Sequence, residues 1–309
     1  MHGLLLFGLL TGAAADLRVG IIGTDTSHVT AFTKILNDPS QPDHVPGARV
    51  VAAFKGGSPD LEPSVSRVEA YARELATQWQ VEIVPEIAAL CDKVDALLLE
   101  SVDGRQHLPQ FREALRCGKP VFIDKPLAAT LEDAREIARL AAAANVPWFS
   151  SSSLRYAGYV VALRRPDLKG AISWGPAPFE RTHQLDLSWY GIHPVEALYA
   201  ILGPGCEEVT RTSGRSEEVV TGRWKDGRLG TVRALRPYGD FGAVGFTEKE
   251  VLQSPPKATF SYVPLVREIV RFFQTGQPPV PNEETLEIFA FLDAAQRSKE
   301  SGGRPMQLR

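Results

Sequence analysis

One lysine and one histidine stand in settings suited to proton and oxygen chemistry. Val121-Phe122-Ile123-Asp124 reads as a buried strand that runs into Lys125 and Pro126. Proline lacks the amide donor that a ladder needs and pushes the residue before it into extended backbone, so the strand stops there. Lys125 is thereby placed at a strand's carboxyl end, where open α/β sheets hold their ligands. Standing alone, the tripeptide would fit an exposed lysine in a strand-to-helix turn better. It does not stand alone, because Gly191-Ile192-His193 follows downstream. Imidazole titrates near physiological pH, which makes His193 the expected general acid or base. A lone histidine in an apolar segment is more often structural. Here Trp189 and Tyr190 lie beside it, an aromatic wall suited to the apolar face of a sugar ring.

A second constellation sits near the start. Val19-Gly20-Ile21-Ile22-Gly23 opens a βαβ pattern, the setting of the dinucleotide fingerprint G-x-G-x-x-G. Gly23 serves as the first glycine, but Asp25 takes the second place and His28 the third. An aspartate brings a side chain and a negative charge to the place where two phosphates sit, which argues for weak dinucleotide binding. Gly23, Thr24, Asp25, Thr26, Ser27 and His28 form the candidate loop. The helix start at Thr26 or Ser27 still offers amide donors, and His28 a compensating charge. A Rossmann-type shell that has lost its cofactor, or binds something else, is the competing reading. The second strand ends in Phe54-Lys55 instead of an acid. A lysine there suits a 2′-phosphate and so NADP over NAD; a solvated loop residue is the plain alternative.

These residues need a scaffold, and the pattern supplies one. Strands are predicted at 17–23, 48–54, 81–84, 96–100, 121–124 and 146–150, alternating with helices at 27–37, 63–80, 85–90, 107–116 and 131–144. That alternation means a parallel, doubly wound sheet. Thr130 is the expected N-cap of the last helix, with Asp133 at N3. From Leu154 the texture changes to longer alternating strands at 171–185, 207–213, 216–225 and 229–236, the last two joined by Asp226-Gly227. One helix, Pro194 to Leu202, interrupts them, and helices at 263–275 and 283–301 close the chain. The fold class is therefore an α/β Rossmann-type parallel sheet plus a C-terminal α+β domain with a mostly antiparallel sheet. Residues 16–125 form the first domain and 126–309 the second, whose early residues cross back to the first.

In these motifs the chain resembles the Gfo/Idh/MocA family of nicotinamide-dependent sugar and polyol oxidoreductases. Asp124-Lys125-Pro126 stands where that family carries Glu-Lys-Pro, and Gly191-Ile192-His193-Pro194-Val195-Glu196 resembles its Gly-x-His-x-x-Asp. Ala114 to Val121, Lys225 to Arg228 and Ala294 to Gly303 are similar to further family segments, so the likeness runs from about residue 17 to the end. The resemblance implies hydride transfer between NAD(P) and a secondary alcohol of a carbohydrate. Lys125 would hydrogen-bond the reacting oxygen and His193 would carry its proton. It also implies that Ser101 and His107 run under the nicotinamide, with Asp124 beside it, and that Arg155 belongs to the substrate pocket. His183 and Glu180 are further polar candidates. Glu196 replaces the family's Asp and is expected to orient His193. Trp189 departs from the pattern, since the family places an aspartate there; Asp186, three residues earlier, either reaches the same pocket in its place or caps the segment Leu187 to Ile192. Two other classes stay open: a non-redox lyase or hydrolase on oxidised sugars using Lys125 and His193, and a catalytically silent carbohydrate-binding protein. The family often pairs through its open sheet, which implies a homo-oligomer.

Composition limits the remaining options. At 309 residues, 44% hydrophobic and 23% charged, the chain can build two domains around a sizeable core. A net charge of −3 carries no footprint for nucleic acid or acidic membranes. Cys91, Cys117 and Cys206 are too widely spaced for a zinc knuckle and allow at most one bridge, and no metal-ligand set stands out. Leu4 to Leu10 followed by Ala13-Ala14-Ala15 reads as a signal peptide covering residues 1–15, which implies an extracytoplasmic protein with no membrane insertion after processing. Met1-His2 lacks the usual Lys or Arg, so a mis-called start or a plain tail, and a cytoplasmic protein, is the alternative. Mass spectrometry of native material is expected to find Asp16 at the amino terminus; cytosolic protein with Met1 intact would count against export.

Overall fold

The computed structural model describes residues 15–237 and 239–309. The expected signal segment lies outside the described residues except for Ala15.

Six strands, β1 (Leu17–Ile22), β2 (Ala48–Phe54), β3 (Glu82–Val84), β4 (Ala96–Leu99), β5 (Val121–Ile123) and β6 (Trp148–Ser150), form one parallel sheet in the order β3-β2-β1-β4-β5-β6. Their continuous apolar runs follow from burial on both faces. Strand order reverses direction between β1 and β4, and such a switch point opens a crevice at the carboxyl ends of the strands. Helix α1 (Ser27–Asn37) starts there, with Thr26 as its N-cap. The predicted helix over 63–80 is two pieces, α2 (Glu62–Val65) and α3 (Val68–Trp79), separated by a turn at Ser66 and Arg67. Helix α4 (Gly104–Ala114) begins earlier than expected, since the Asp103 carboxylate caps it by accepting from the Arg105 amide at 2.9 Å. Helix α5 (Leu131–Ala144) is capped by Thr130, whose hydroxyl accepts from the Asp133 amide at 3.0 Å. A disulfide joins Cys91, ahead of β4, to Cys117, ahead of β5.

After the short helix α6 (Gly158–Ala162) the chain builds a mixed, mostly antiparallel sheet. Its strands are β7 (Gly170–Pro176), β8 (Cys206–Ser213), β9 (Glu217–Trp224), β10 (Leu229–Leu235), β11 (Gly242–Phe246), β12 (Val251–Gln253) and β13 (Met306–Gln307). They run in the order β12-β11-β7-β10-β9-β8-β13, with β7 and β10 parallel. The strand expected over 171–185 stops at Pro176, because Pro176 and Pro178 cannot donate to a ladder. The freed segment, 177–190, wraps toward the crevice as turns. Helices α7 (Ile192–Leu202) and α9 (Asn282–Glu300) cover one face of this sheet, with Tyr199, Trp224 and Phe291 in the shared core.

Helix α8 (Val263–Thr275) belongs in space to the first layer. Its Leu265, Ile269 and Phe272 pack with Val19, Ile21, Phe32 and Phe149 under the parallel sheet. The Phe272 and Phe149 rings meet edge to face at 4.9 Å. The last stretch of chain thus clamps the first. Phe272→Ala is expected to cost about 3–5 kcal/mol, as for other fully buried aromatics, measured by urea unfolding; a loss below about 1 kcal/mol would mean that α8 is not part of this core.

Candidate functional site

A cavity of about 260 Å³ opens between the two layers at the carboxyl ends of the parallel strands. Lys125, just past β5, and His193, in the first turn of α7, both line it. Ser27 and His28 bring the start of α1 to the wall, and Arg67 enters from the break between α2 and α3. Trp189, Tyr190, Phe241, Phe260 and Tyr262 supply an aromatic surround.

His193 is positioned by its neighbours. Its Nδ1 lies 2.7 Å from the Ser152 hydroxyl, which also accepts from the Leu154 amide at 3.1 Å. Tyr190 and Phe241 meet the imidazole edge to face at 4.9 and 5.8 Å. Burial, with Lys125 and then His28 adding to it, pushes the His193 pKa well below its ordinary value. The ring is therefore neutral near pH 7. With Ser152 donating to Nδ1, the proton sits on Nε2 and can be given; with Ser152 accepting, Nε2 is a base.

Beneath the cavity lies a buried, charged floor. Glu100 follows β4, Asp124 follows β5, and both are fully buried. His28 Nδ1 is 2.8 Å from Asp124 Oδ2, close enough for an ion pair but not aligned as a hydrogen bond. Lys125 Nζ is 3.9 Å from the same oxygen. Burial and then the Asp124 charge push the Glu100 pKa well up, against the pull of Lys125. For Asp124 burial also works upward, yet His28 and Lys125 outweigh it and hold the carboxyl low.

Several expected roles move. The Asp25 carboxylate does not face a phosphate site: it is buried, accepting from the Val102 amide at 2.9 Å and the Ser64 hydroxyl at 2.6 Å. Thr24 is buried against the Lys55 and Val68 carbonyls. Gly23, at φ +90°, lets this loop touch Ser101, whose hydroxyl sits 2.2 Å from where a Cβ would be. Ser101 itself donates to Gln110. His107 is buried between the Ser101 and Leu127 carbonyls at 2.7 and 3.1 Å, holding the backbone beyond Lys125 rather than a ligand. Lys55 pairs with Glu69 at 2.6 Å and lies outside the cavity.

The second layer brings similar corrections. Asp186 is bound to Arg211 of β8 at 2.7 Å and Lys299 of α9 at 2.6 Å, and it does not line the cavity. Arg155 is buried in ion pairs with Glu196 and Glu284, tying the 3-10 turn 153–156 to α7 and α9. Glu196 therefore orients Arg155, and Ser152 does what was expected of Glu196. His183 packs at a tilt against Trp189 at 5.1 Å and approaches Asp103 at 3.5 Å, behind the cavity wall. Glu180 bonds to Thr182. Glu100, Ser152 and Arg67 were missed. The acid that ends Ala96-Leu97-Leu98-Leu99 and the serine run 150–153 were the available signals; nothing in sequence marked Arg67.

A nicotinamide dinucleotide fits this site at one end. The α1 start, Arg67 and Lys125 form a donor set suited to a pyrophosphate and the ring beyond it. The adenosine end is closed. Ser58 donates to Asp103 at 2.7 Å, Ser64 to Asp25, and Arg105 grips Asp60 at 2.8 and 2.9 Å, so residues 58–64 fasten the β2 side onto the loop after β4.

Residues 17–151 match the model of the Gfo/Idh/MocA family, described as the oxidoreductase family with an NAD-binding Rossmann fold. Over 112 residues, 36% of this chain and 33% of the relative, it is 38% identical to the 1,5-anhydro-D-fructose reductase of Ensifer adhaerens. Over 132 residues, 42% of this chain and 34% of the relative, it is 30% identical to the inositol 2-dehydrogenase of Paracoccus denitrificans. The match thus spans about a third of the length of these curated relatives. The fold as a whole is shared with the myo-inositol dehydrogenase of Lactobacillus casei, solved with NAD(H) and myo-inositol: TM-score 0.75, 19% identity, covering 96% of this chain and 97% of that one. It is equally shared with myo-inositol 2-dehydrogenase from Lactobacillus plantarum: TM-score 0.75, 14% identity, covering 96% and 100%.

His107, His183 and His193 all have pKa values lowered first by burial. The unfolded chain therefore binds more protons than the native state below the free-imidazole value, and stability falls as pH drops through that region. The urea midpoint is expected to fall between about pH 7 and about pH 5, before most carboxylates titrate. A flat profile across that window would contradict neutral, buried imidazoles.

Proposed function

We propose that this protein transfers a hydride between a nicotinamide cofactor and a secondary alcohol of a sugar or polyol. What carries the reading is the convergence of Lys125 and His193 on one cavity beside the α1 start. The family of residues 17–151 and the names of the relatives support the cofactor and the substrate class. The cofactor, when bound, supplies or accepts the hydride. Lys125 donates a hydrogen bond to the reacting oxygen and stabilises negative charge on it. His193, held by Ser152, moves the hydroxyl proton. Trp189 and Tyr190 stack on the C–H face of the ring and exclude water. Lys55 is held by Glu69, so preference for NADP over NAD would require that pair to open.

The closed adenosine end favours a second reading, acid–base chemistry on an oxidised sugar by Lys125 and His193 without a nucleotide. We further propose export, which the Cys91–Cys117 bridge supports, since disulfides persist in oxidising compartments. Pairing through the outer face of the second sheet, where Ile172, Trp174, Val219 and Val244 are half-buried, is the proposed oligomer contact.

Lys125→Ala and His193→Ala are each expected to lower kcat/KM on a polyol panel by about 10²–10⁴-fold with the fold retained. Quenching of nucleotide fluorescence separates the two chemistries. Turnover that needs no NAD(P) and proceeds without nucleotide binding would replace the redox reading with the second one.

A further inference from the structure

We propose that His28, Glu100 and Asp124 form a binding site for one divalent transition-metal ion at the cavity floor. One ligand atom from each lies within 4.8 Å of the other two, and all three residues are buried. Side-chain rotations of about an ångström bring such a set to metal–ligand lengths of ~2.0–2.2 Å. An independent observation points the same way. Both Glu100 oxygens, both Asp124 oxygens and His28 Nδ1 lack an aligned hydrogen-bond partner, although each is inaccessible to solvent. Buried carboxylate oxygens without partners are costly and uncommon, and their concentration in one cluster calls for a cation.

Lys125 offsets part of this charge as a long ion pair with Asp124, but its Nζ, 3.9 Å from Oδ2, is beyond hydrogen-bond reach and satisfies none of these five atoms. A single shared proton satisfies at most two of the five orphaned atoms. One imidazole with two carboxylates is a borderline donor set, suited to Zn²⁺, Mn²⁺ or Co²⁺ more than to Ca²⁺, which takes six or more oxygens. Three protein ligands leave coordination positions open, and His28 also lines the cavity, so an oxygen of a bound molecule can complete the shell. The two carboxylates come from the ends of neighbouring strands β4 and β5, and the imidazole from α1. Rigid elements therefore present all three. The site stands whether or not the hydride-transfer reading holds, and its test reads metal, not turnover.

The full chain, tag-free, is stripped with chelator and titrated with Co²⁺, followed by visible d–d absorption, with Zn²⁺ as competitor. One equivalent of Co²⁺ is expected to bind and to be displaced by Zn²⁺. Glu100→Gln keeps the shape and removes a ligand charge, so affinity is expected to fall by about tenfold or more. His28→Gln, a second variant near the cavity wall, is expected to lose affinity likewise and covers the case in which Glu100→Gln does not fold. No saturable Co²⁺ band in the unmodified chain, or a band of unchanged affinity in either folded variant, overturns the proposal.

Discussion

Two carboxylates buried at the ends of adjacent strands impose the constraint around which this cavity is arranged. Glu100 and Asp124 close β4 and β5 in a parallel sheet that is otherwise apolar, where an ionised carboxyl is expensive unless compensated. Positive and polar groups are accordingly drawn to that rim: His28 from α1 and Lys125 from the turn after β5. Lys125 reaches the cavity because its own strand ends in the acid beside it. His193, across the cavity, is kept neutral by its burial first and then by the same positive neighbours. Charge on the floor and neutrality on the opposite wall are two consequences of one arrangement.

The rim is held in place by polar bonds between loops rather than by helix packing. Asp25 ties the β1–α1 turn to the Val102 amide and to Ser64; Ser58 and Arg105 extend the same network through Asp103 and Asp60. Each of these acids is satisfied, so the network is cohesive. It places the α1 start and Arg67 against the cavity, and it closes the path along which the adenosine half of a dinucleotide would run. Partly exposed Arg105 and Asp60 are its weakest link, because solvent competes for exposed pairs.

The second layer supplies the lid and the walls. The turns from 177 to 190 exist because prolines end β7 early, and they carry Trp189 and Tyr190 to the cavity. Arg155, buried between Glu196 and Glu284, locks the crossing segment onto α7 and α9 and so fixes where His193 can stand. Helix α8 then closes the parallel sheet from below, while a second apolar cluster runs from that sheet's other face into the core of the second sheet.

Apolar runs and their punctuation were enough to read most of this architecture. The α1, β2 and α8 boundaries follow from them directly, as does the end of β5 at Lys125-Pro126, because strand burial and proline geometry are local properties. The order of Lys125 and His193 along the chain likewise marked two residues that line one cavity. Partnership was not legible. Asp25 looked like a charge facing phosphate, yet it is spent on the Val102 amide; Asp186 looked like a catalytic acid, yet Arg211 and Lys299 hold it. Glu196 goes to Arg155 and not to His193, and Glu100 passed as the plain end of a strand. A side chain's type and spacing state what it can bond; which donors surround it depends on residues 25 to 113 positions away, as for Asp186 and its two partners. Only the packing of the two layers decides that.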